Sequence, residues 1–293
     1  MTLSREALGL LLGIIGVIIF GGTLPATRLA VQGLDPWFVT FGRAAAAGVL
    51  AVAVLAVLRR PWPGIEQQKK LLLAAVMLIG GFPGFMALAM VTLPAAHGGI
   101  VLSILPIATA IAGALILGER PSLMFWLTAI AGAALVLAFA FRSSGGSLAA
   151  GDLYLLAAAA CAATGYSISA GAARGMPGWE VICWQLALTL PVTVPLSLWL
   201  FPATPAAVPA AAWAGFAYTA LFSMFLGFFA WNTGLAMGGV ARVSQVQLLQ
   251  TFVTVGLAAL VNGERVDSVT WVFAAAAAGI IFLSELTAVK RQS

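Results

Sequence analysis

Ten runs of about twenty apolar residues, each closed by charge, proline or glycine, leave this chain one solvent in which to fold, the lipid bilayer. The runs fall at 7–30, 36–58, 71–92, 97–117, 123–141, 151–172, 180–201, 211–236, 242–262 and 269–287. Turn chemistry marks the breaks: Leu34-Asp35-Pro36, Arg59-Arg60-Pro61-Trp62-Pro63-Gly64, Gly118-Glu119-Arg120-Pro121-Ser122, Arg142 to Gly146, and Gly175-Met176-Pro177-Gly178. Charged residues make up only 8% of the 293, against about 25% where a soluble surface must be wetted. The stretch 201–209 holds three prolines and no charge, and reads as an interfacial loop. Little chain remains for a soluble domain.

The net charge of +5 belongs to topology and not to nucleic acid, because the basic residues sit between the runs. With the N-terminus inside, inner segments hold Arg5, Arg59, Arg60, Lys69, Lys70, Arg120, Arg174, Arg242, Lys290 and Arg291. Outer loops hold Arg142 and Arg265, with Arg28 and Arg43 near the outer ends of the first two spans. That asymmetry places both termini in the cytoplasm. The start, Arg5 followed by an apolar run from Ala7 to Phe20, resembles a signal peptide. The run continues past Gly21 and Gly22, however, and is expected to remain as the first helix. Cys161 and Cys183 lie inside apolar runs and read as small buried residues, neither a disulfide nor a metal pair.

A self-match gives the organisation. Gly118-Glu119-Arg120 recurs 145 residues later as Gly263-Glu264-Arg265, and Trp126 meets Trp271 at the same spacing. Upstream, Gly84-Phe85-Met86-Ala87 resembles Gly227-Phe228-Phe229-Ala230. The chain therefore divides into two five-span repeats, 1–146 and 147–293. Five is odd, so the second copy enters the membrane from the opposite side. Inverted repeats of this kind give two pseudo-equivalent states around one midplane site. The expected fold is an all-α membrane protein of ten transmembrane helices in two inverted halves around a central cavity.

Several chemistries are absent. No Gly-x-x-x-x-Gly-Lys-Ser/Thr cradles a nucleotide, no His-Glu-x-x-His binds zinc, and the single histidine, His97, stands at a helix start. Neither enzymatic activity nor a cofactor is expected. All nine acidic residues fall at span ends or in loops. A proton- or sodium-coupled carrier usually keeps one at the bilayer centre, so a facilitator or exchanger is expected.

The polar residues inside the spans are the candidate site. Ser244, Gln247, Gln250, Thr251 and Thr254 share one helical face. Thr164 and Ser167 lie in span six, and Thr23 and Thr27 flank Pro25 in span one. Pro25 frees a backbone carbonyl that a substrate could use. Ser103 and Pro106 mark a kink in span four. Phe85 and Trp231, the latter beside Asn232, stand in aromatic- and Met-rich spans. Plainer readings stand beside this one: interhelical hydrogen bonding for the polar residues, close packing for spans one and six, and lipid-facing or packing roles for the aromatic residues. Arg43, about 10 Å deep at 1.5 Å per residue, is expected to snorkel outward, with Arg28 likewise or paired to Asp35. A role for either in binding a substrate carboxylate is the lesser alternative.

Phe20-Gly21-Gly22-Thr23, Arg28-Leu29-Ala30, Pro36, Arg43, Ala95-Ala96, Pro106, Gly238-Gly239-Val240-Ala241 and the paired Gly-Glu-Arg resemble the EamA-type drug/metabolite transporter superfamily. One departure is visible: Thr251 stands where the repeat would place the partner of Pro106. The overall texture is most similar to bacterial aromatic and neutral amino-acid exporters. That resemblance implies a carrier in the bacterial cytoplasmic membrane, moving amino acids outward by alternating access. Spans one, three, four, six, eight and nine would then line the cavity. Gln247, Gln250 and Asn232 would meet the polar end of the substrate, and Phe85 and Trp231 its side chain. The alternatives are a broad drug or nucleotide-sugar efflux carrier, and a structural or lipid-scrambling protein without a gated site.

Overall fold

The computed structural model describes residues 5–117, 123–143, 146, 148–172, 176–238, 246 and 249–287. Every regular element among them is a helix. Helices α1 (Arg5–Gly21) and α2 (Thr23–Ala30) form one span broken at Gly22, and α3 (Pro36–Val57) runs back. The third span joins α4 (Ile65–Ala75), a π-helical segment (Val76–Gly81) and α5 (Phe82–Thr92). The fourth joins α6 (Ala95–Val101), a turn of 3-10 helix (Leu102–Ile104) and α7 (Leu105–Leu117). Three unbroken helices follow: α8 (Leu123–Ser143), α9 (Ala150–Ala172) and α10 (Gly178–Trp199). A second π-helical segment (Tyr218–Leu226) then links α11 (Ala210–Ala217) to α12 (Gly227–Gly238). The described chain ends with α13 (Leu249–Asn262) and α14 (Ser268–Thr287).

Eight helical stretches among the described residues are long and apolar enough to cross a bilayer, the first Glu6–Ala30 and the last Ala210–Gly234. The ninth and tenth expected spans appear there as the shorter apolar helices Leu249–Asn262 and Ser268–Ile280. Much of the first turns expected of span nine, at 242–245 and 247–248, lies outside the described residues. The third helix starts at Ile65 and not at 71, because Glu66 and Lys69 pair at 2.7 Å along a polar first turn.

Local chemistry sets the ends. Asp35 Oδ1 accepts the N–H groups of Trp37 (2.8 Å) and Phe38 (3.1 Å), and Pro36 opens α3. Asp267 does the same for α14 through the N–H of Thr270 at 2.8 Å. The hydroxyl and N–H of Thr270 hold the Asp267 carboxyl below the ordinary carboxylate range. Gly263, at φ 66°, ends α13 in the left-handed conformation that a side chain would strain.

The helices pair α1 with α12, α2 with α11, α3 with α10, α9 with α5 and α7, α6 with α13, and α8 with α14. Each pairing joins the first half of the chain to the second. Lipid offers no hydrophobic drive between helices, so close packing must supply the attraction. Small residues permit it. A methyl on Gly234 of α12 would stand 2.8 Å from the Gly13 nitrogen of α1. One on Gly215 of α11 would stand 2.3 Å from the Ala26 carbonyl of α2. Met86, Met90, Ile100, Leu155 and Val255 fill one core cluster, and Leu71, Ile79, Cys183 and Leu186 another. Cys161 is half-buried, Cys183 is buried, and both are free thiols.

Candidate functional site

The break in span one organises the site. Pro25 has no N–H, so the Gly21 carbonyl one turn earlier loses its helical donor. In a membrane such a group needs another partner. The Thr254 hydroxyl supplies it at 2.9 Å from α13. The expectation that this carbonyl waits for a substrate is thereby corrected: a side chain of the second half occupies it. Two neighbouring carbonyls also accept a side chain of the second half. Tyr218 Oη donates to Ile19 O at 2.9 Å, and Asn262 Nδ2 donates to Pro25 O at 3.2 Å.

Against this break lies the second π-helical segment, and π turns re-aim side chains that an α-helix would carry past. Its Ser223 shares a 2.8 Å hydrogen bond with Thr23 Oγ1. Arg43 of α3 donates from Nη2 to the same Ser223 oxygen at 3.2 Å. Arg43 is 3% exposed, so it does not snorkel outward as expected. It turns into the bundle, where its Nε and Nη1 have no hydrogen-bond partner among the described residues. Arg28 is not paired to Asp35 either. It donates to the carbonyls of Met90 and, at 2.7 Å, Val91, where the end of α5 presents its negative pole.

The other residues expected in the site are placed as follows. Thr27 is fully buried and returns its hydroxyl to Thr23 O at 2.7 Å. Ser103 bonds Ile100 O at 2.6 Å inside the 3-10 turn of span four, and Ser167 bonds Ala163 O at 2.9 Å. Thr164 is half-buried on α9, and Gln250 is half-buried on α13. Phe85 stacks on Tyr154 of α9, with ring centres 6.3 Å apart. Trp231 has its backbone against Gly16 of α1, and Asn232 lies against Gly178 at the start of α10. Gln247, Ser244 and the first Gly-Glu-Arg lie outside the described residues. Thr23, Thr27 and Thr254 are therefore brought to one place, with Phe85 packed against the core cluster that holds the adjoining Leu24 and Val255, while Ser103, Trp231 and Asn232 make the separate contacts just given. Arg43, Tyr218 and Ser223 complete the cluster. The four-residue step from Thr219 to Ser223, polar within an aromatic run, is the sequence signal for the last.

A second polar group closes the end of the bundle where α2 stops and α6 begins. His97 Nε2 and Asp152 Oδ1 are 2.5 Å apart, and both residues are buried. The other Asp152 oxygen accepts the Ala149 N–H at 2.9 Å, and the His97 ring lies 5.1 Å from that of Phe139. The second Gly-Glu-Arg finds its role here. Gly263 turns the chain out of α13, and both oxygens of Glu264 then accept the N–H groups of Ala95 (2.7 Å) and Ala96 (2.9 Å), capping α6. At the opposite end Glu180 accepts Trp184 Nε1 at 3.2 Å and faces Arg60 at 3.6 Å. A gap of only about 10 Å³, room for one water-sized body, lies between Ser103, Ile107, Gly132, Val136 and Ile280.

Comparison with known proteins adds to the geometry. The profile of the EamA-like transporter family matches residues 7–141 and 149–285. The uncharacterized transporter YdeK of Bacillus subtilis (strain 168) is 43% identical over 264 residues, covering 90% of this chain and 92% of that protein. A crystal structure 19% identical in sequence superposes with a TM-score of 0.64 over 97% of this chain and 99% of its own. At that identity the likeness concerns the fold alone.

Proposed function

We propose that this chain, which belongs to the EamA-like transporter family, exports amino acids, aromatic and other neutral ones among them, by alternating access as a facilitator or exchanger. Transport through a multi-pass membrane fold is the premise; the substrate and the mechanism are the proposal. The observation that carries it is the pattern of helix pairing. Exchanging the two halves turns the contact of span one with span eight into that of span six with span three. It turns the contact of span one with span nine into that of span six with span four. The pairs two–seven, four–nine and five–ten map onto themselves. The two π-helical segments also fall in corresponding spans, three and eight.

Such a pattern supports two inverted halves, 1–146 and 147–293, and the distribution of basic residues supports both termini in the cytoplasm. Inverted halves have two pseudo-equivalent ways to meet, each closing one face. The substrate would sit where the halves meet at Thr23 and Ser223. When they part, Thr23, Thr27 and Thr254 exchange backbone or side-chain partners for substrate. Gln247, Gln250, Asn232, Ser103, Thr164 and Ser167 extend the polar lining in that open state, and Phe85 and Trp231 the apolar lining.

Counterflow in proteoliposomes tests this. Vesicles loaded with unlabelled phenylalanine or leucine should accumulate external radiolabelled amino acid without a pH gradient. Failure to exchange any neutral amino acid would overturn the export reading. Exchange only under a pH gradient would overturn the facilitator clause alone.

A further inference from the structure

We propose that Arg43 is the carboxylate-binding group of this carrier, and that the chain therefore selects substrates bearing a carboxylate and rejects the corresponding amines. This rests on the proposed function only for the identity of the substrate; the anion site itself rests on geometry.

A guanidinium carries five N–H donors and never loses its charge. Arg43 spends one nitrogen, Nη2, on the neutral hydroxyl of Ser223. Its Nε and Nη1 are buried and have no hydrogen-bond partner among the described residues, so the three N–H donors on these two nitrogens are unmet. No carboxylate pairs with it among the described residues; the ion pairs there involve Arg60, Lys69 and His97. A permanent cation inside a membrane protein is costly unless an anion or a wet cavity meets it. The long stem would allow escape to the interface, yet Arg43 is 3% exposed. The bundle holds it inward with its donors open.

Its position adds to this. Arg43 belongs to the first half of the chain and Ser223 to the second. An anion seated on Arg43 thus touches the seam along which alternating access must open. The carboxylate of an amino acid is a planar, monovalent acceptor that suits a guanidinium. The same charge repels cationic amphiphiles, which bears against the broad drug-efflux alternative.

Binding tests the site without requiring transport. Purified protein in lipid nanodiscs would be titrated with L-phenylalanine, 3-phenylpropionate, which lacks the amine, and 2-phenylethylamine, which lacks the carboxylate. Wild type should bind the two carboxylates at least tenfold more tightly than the amine. Arg43→Gln should lose carboxylate binding by tenfold or more, and Arg43→Lys should retain part of it. Equal binding of amine and acids by wild type, no binding of either acid, or undiminished acid binding by folded Arg43→Gln would each overturn the proposal. If Arg43→Gln does not fold, the wild-type ranking of acid over amine decides. The two readings separate cleanly: carboxylate binding without amino-acid counterflow removes the transport reading and keeps the site. Counterflow with an unchanged KM in Arg43→Gln removes the site and keeps transport.

Discussion

Thr254 shows how a polar side chain inside a bilayer is committed by the backbone around it. Its hydroxyl serves the Gly21 carbonyl that Pro25 leaves without a donor. Thr254→Val keeps the shape and removes the donor, and should cost about 1 kcal/mol of stability, read from the unfolding midpoint in detergent. Pro25→Ala restores an N–H to residue 25, so in that background the same change should cost close to nothing. Equal losses in both backgrounds would remove the link between the two residues. This residue was visible in the sequence as a polar member of a helical face, but its partner was not, because it lies 233 positions away. Arg43 was visible too, and misdirected. Snorkelling is the general habit of a cation near a span end, and α3 is apolar on every side, so nothing local says which face meets the second half.

Elements were legible to the extent that hydropathy and turn chemistry define them. The Pro36 and Gly178 starts agree with the reading of the breaks. The π-helical segments were not legible: Tyr218–Leu226 holds neither proline nor glycine to mark it. Close approach between elements was visible only as scattered glycine. Gly215 is the sharpest case, because a methyl there meets backbone, which has little room to move. Gly215→Ala should destabilise the protein by about 1–3 kcal/mol, whereas Gly256→Ala, which has open space around it, should stay within about 0.5 kcal/mol. Thermal unfolding of the two purified variants compares them directly; similar midpoints would mean that α2 and α11 do not need their contact.

At the scale of the molecule, the repeat of Gly-Glu-Arg pointed to two halves, but did not say that the chief helix pairs among the described residues would all join the first half of the chain to the second. That interlocking has a consequence for biosynthesis. The ribosome releases the first span long before it makes Tyr218, Thr254 and Asn262, the side chains that serve the Ile19, Gly21 and Pro25 carbonyls. Until then the newborn helix lacks these partners, its Gly21 carbonyl left without a donor by Pro25, and its maturation waits on the last third of the chain. Residues 1–146 expressed alone should be degraded rapidly, and co-expression of 147–293 as a separate chain should raise their half-life several-fold in a pulse-chase. A first half that persists equally well alone would mean that those acceptors find other partners, and that order of synthesis leaves no mark on assembly.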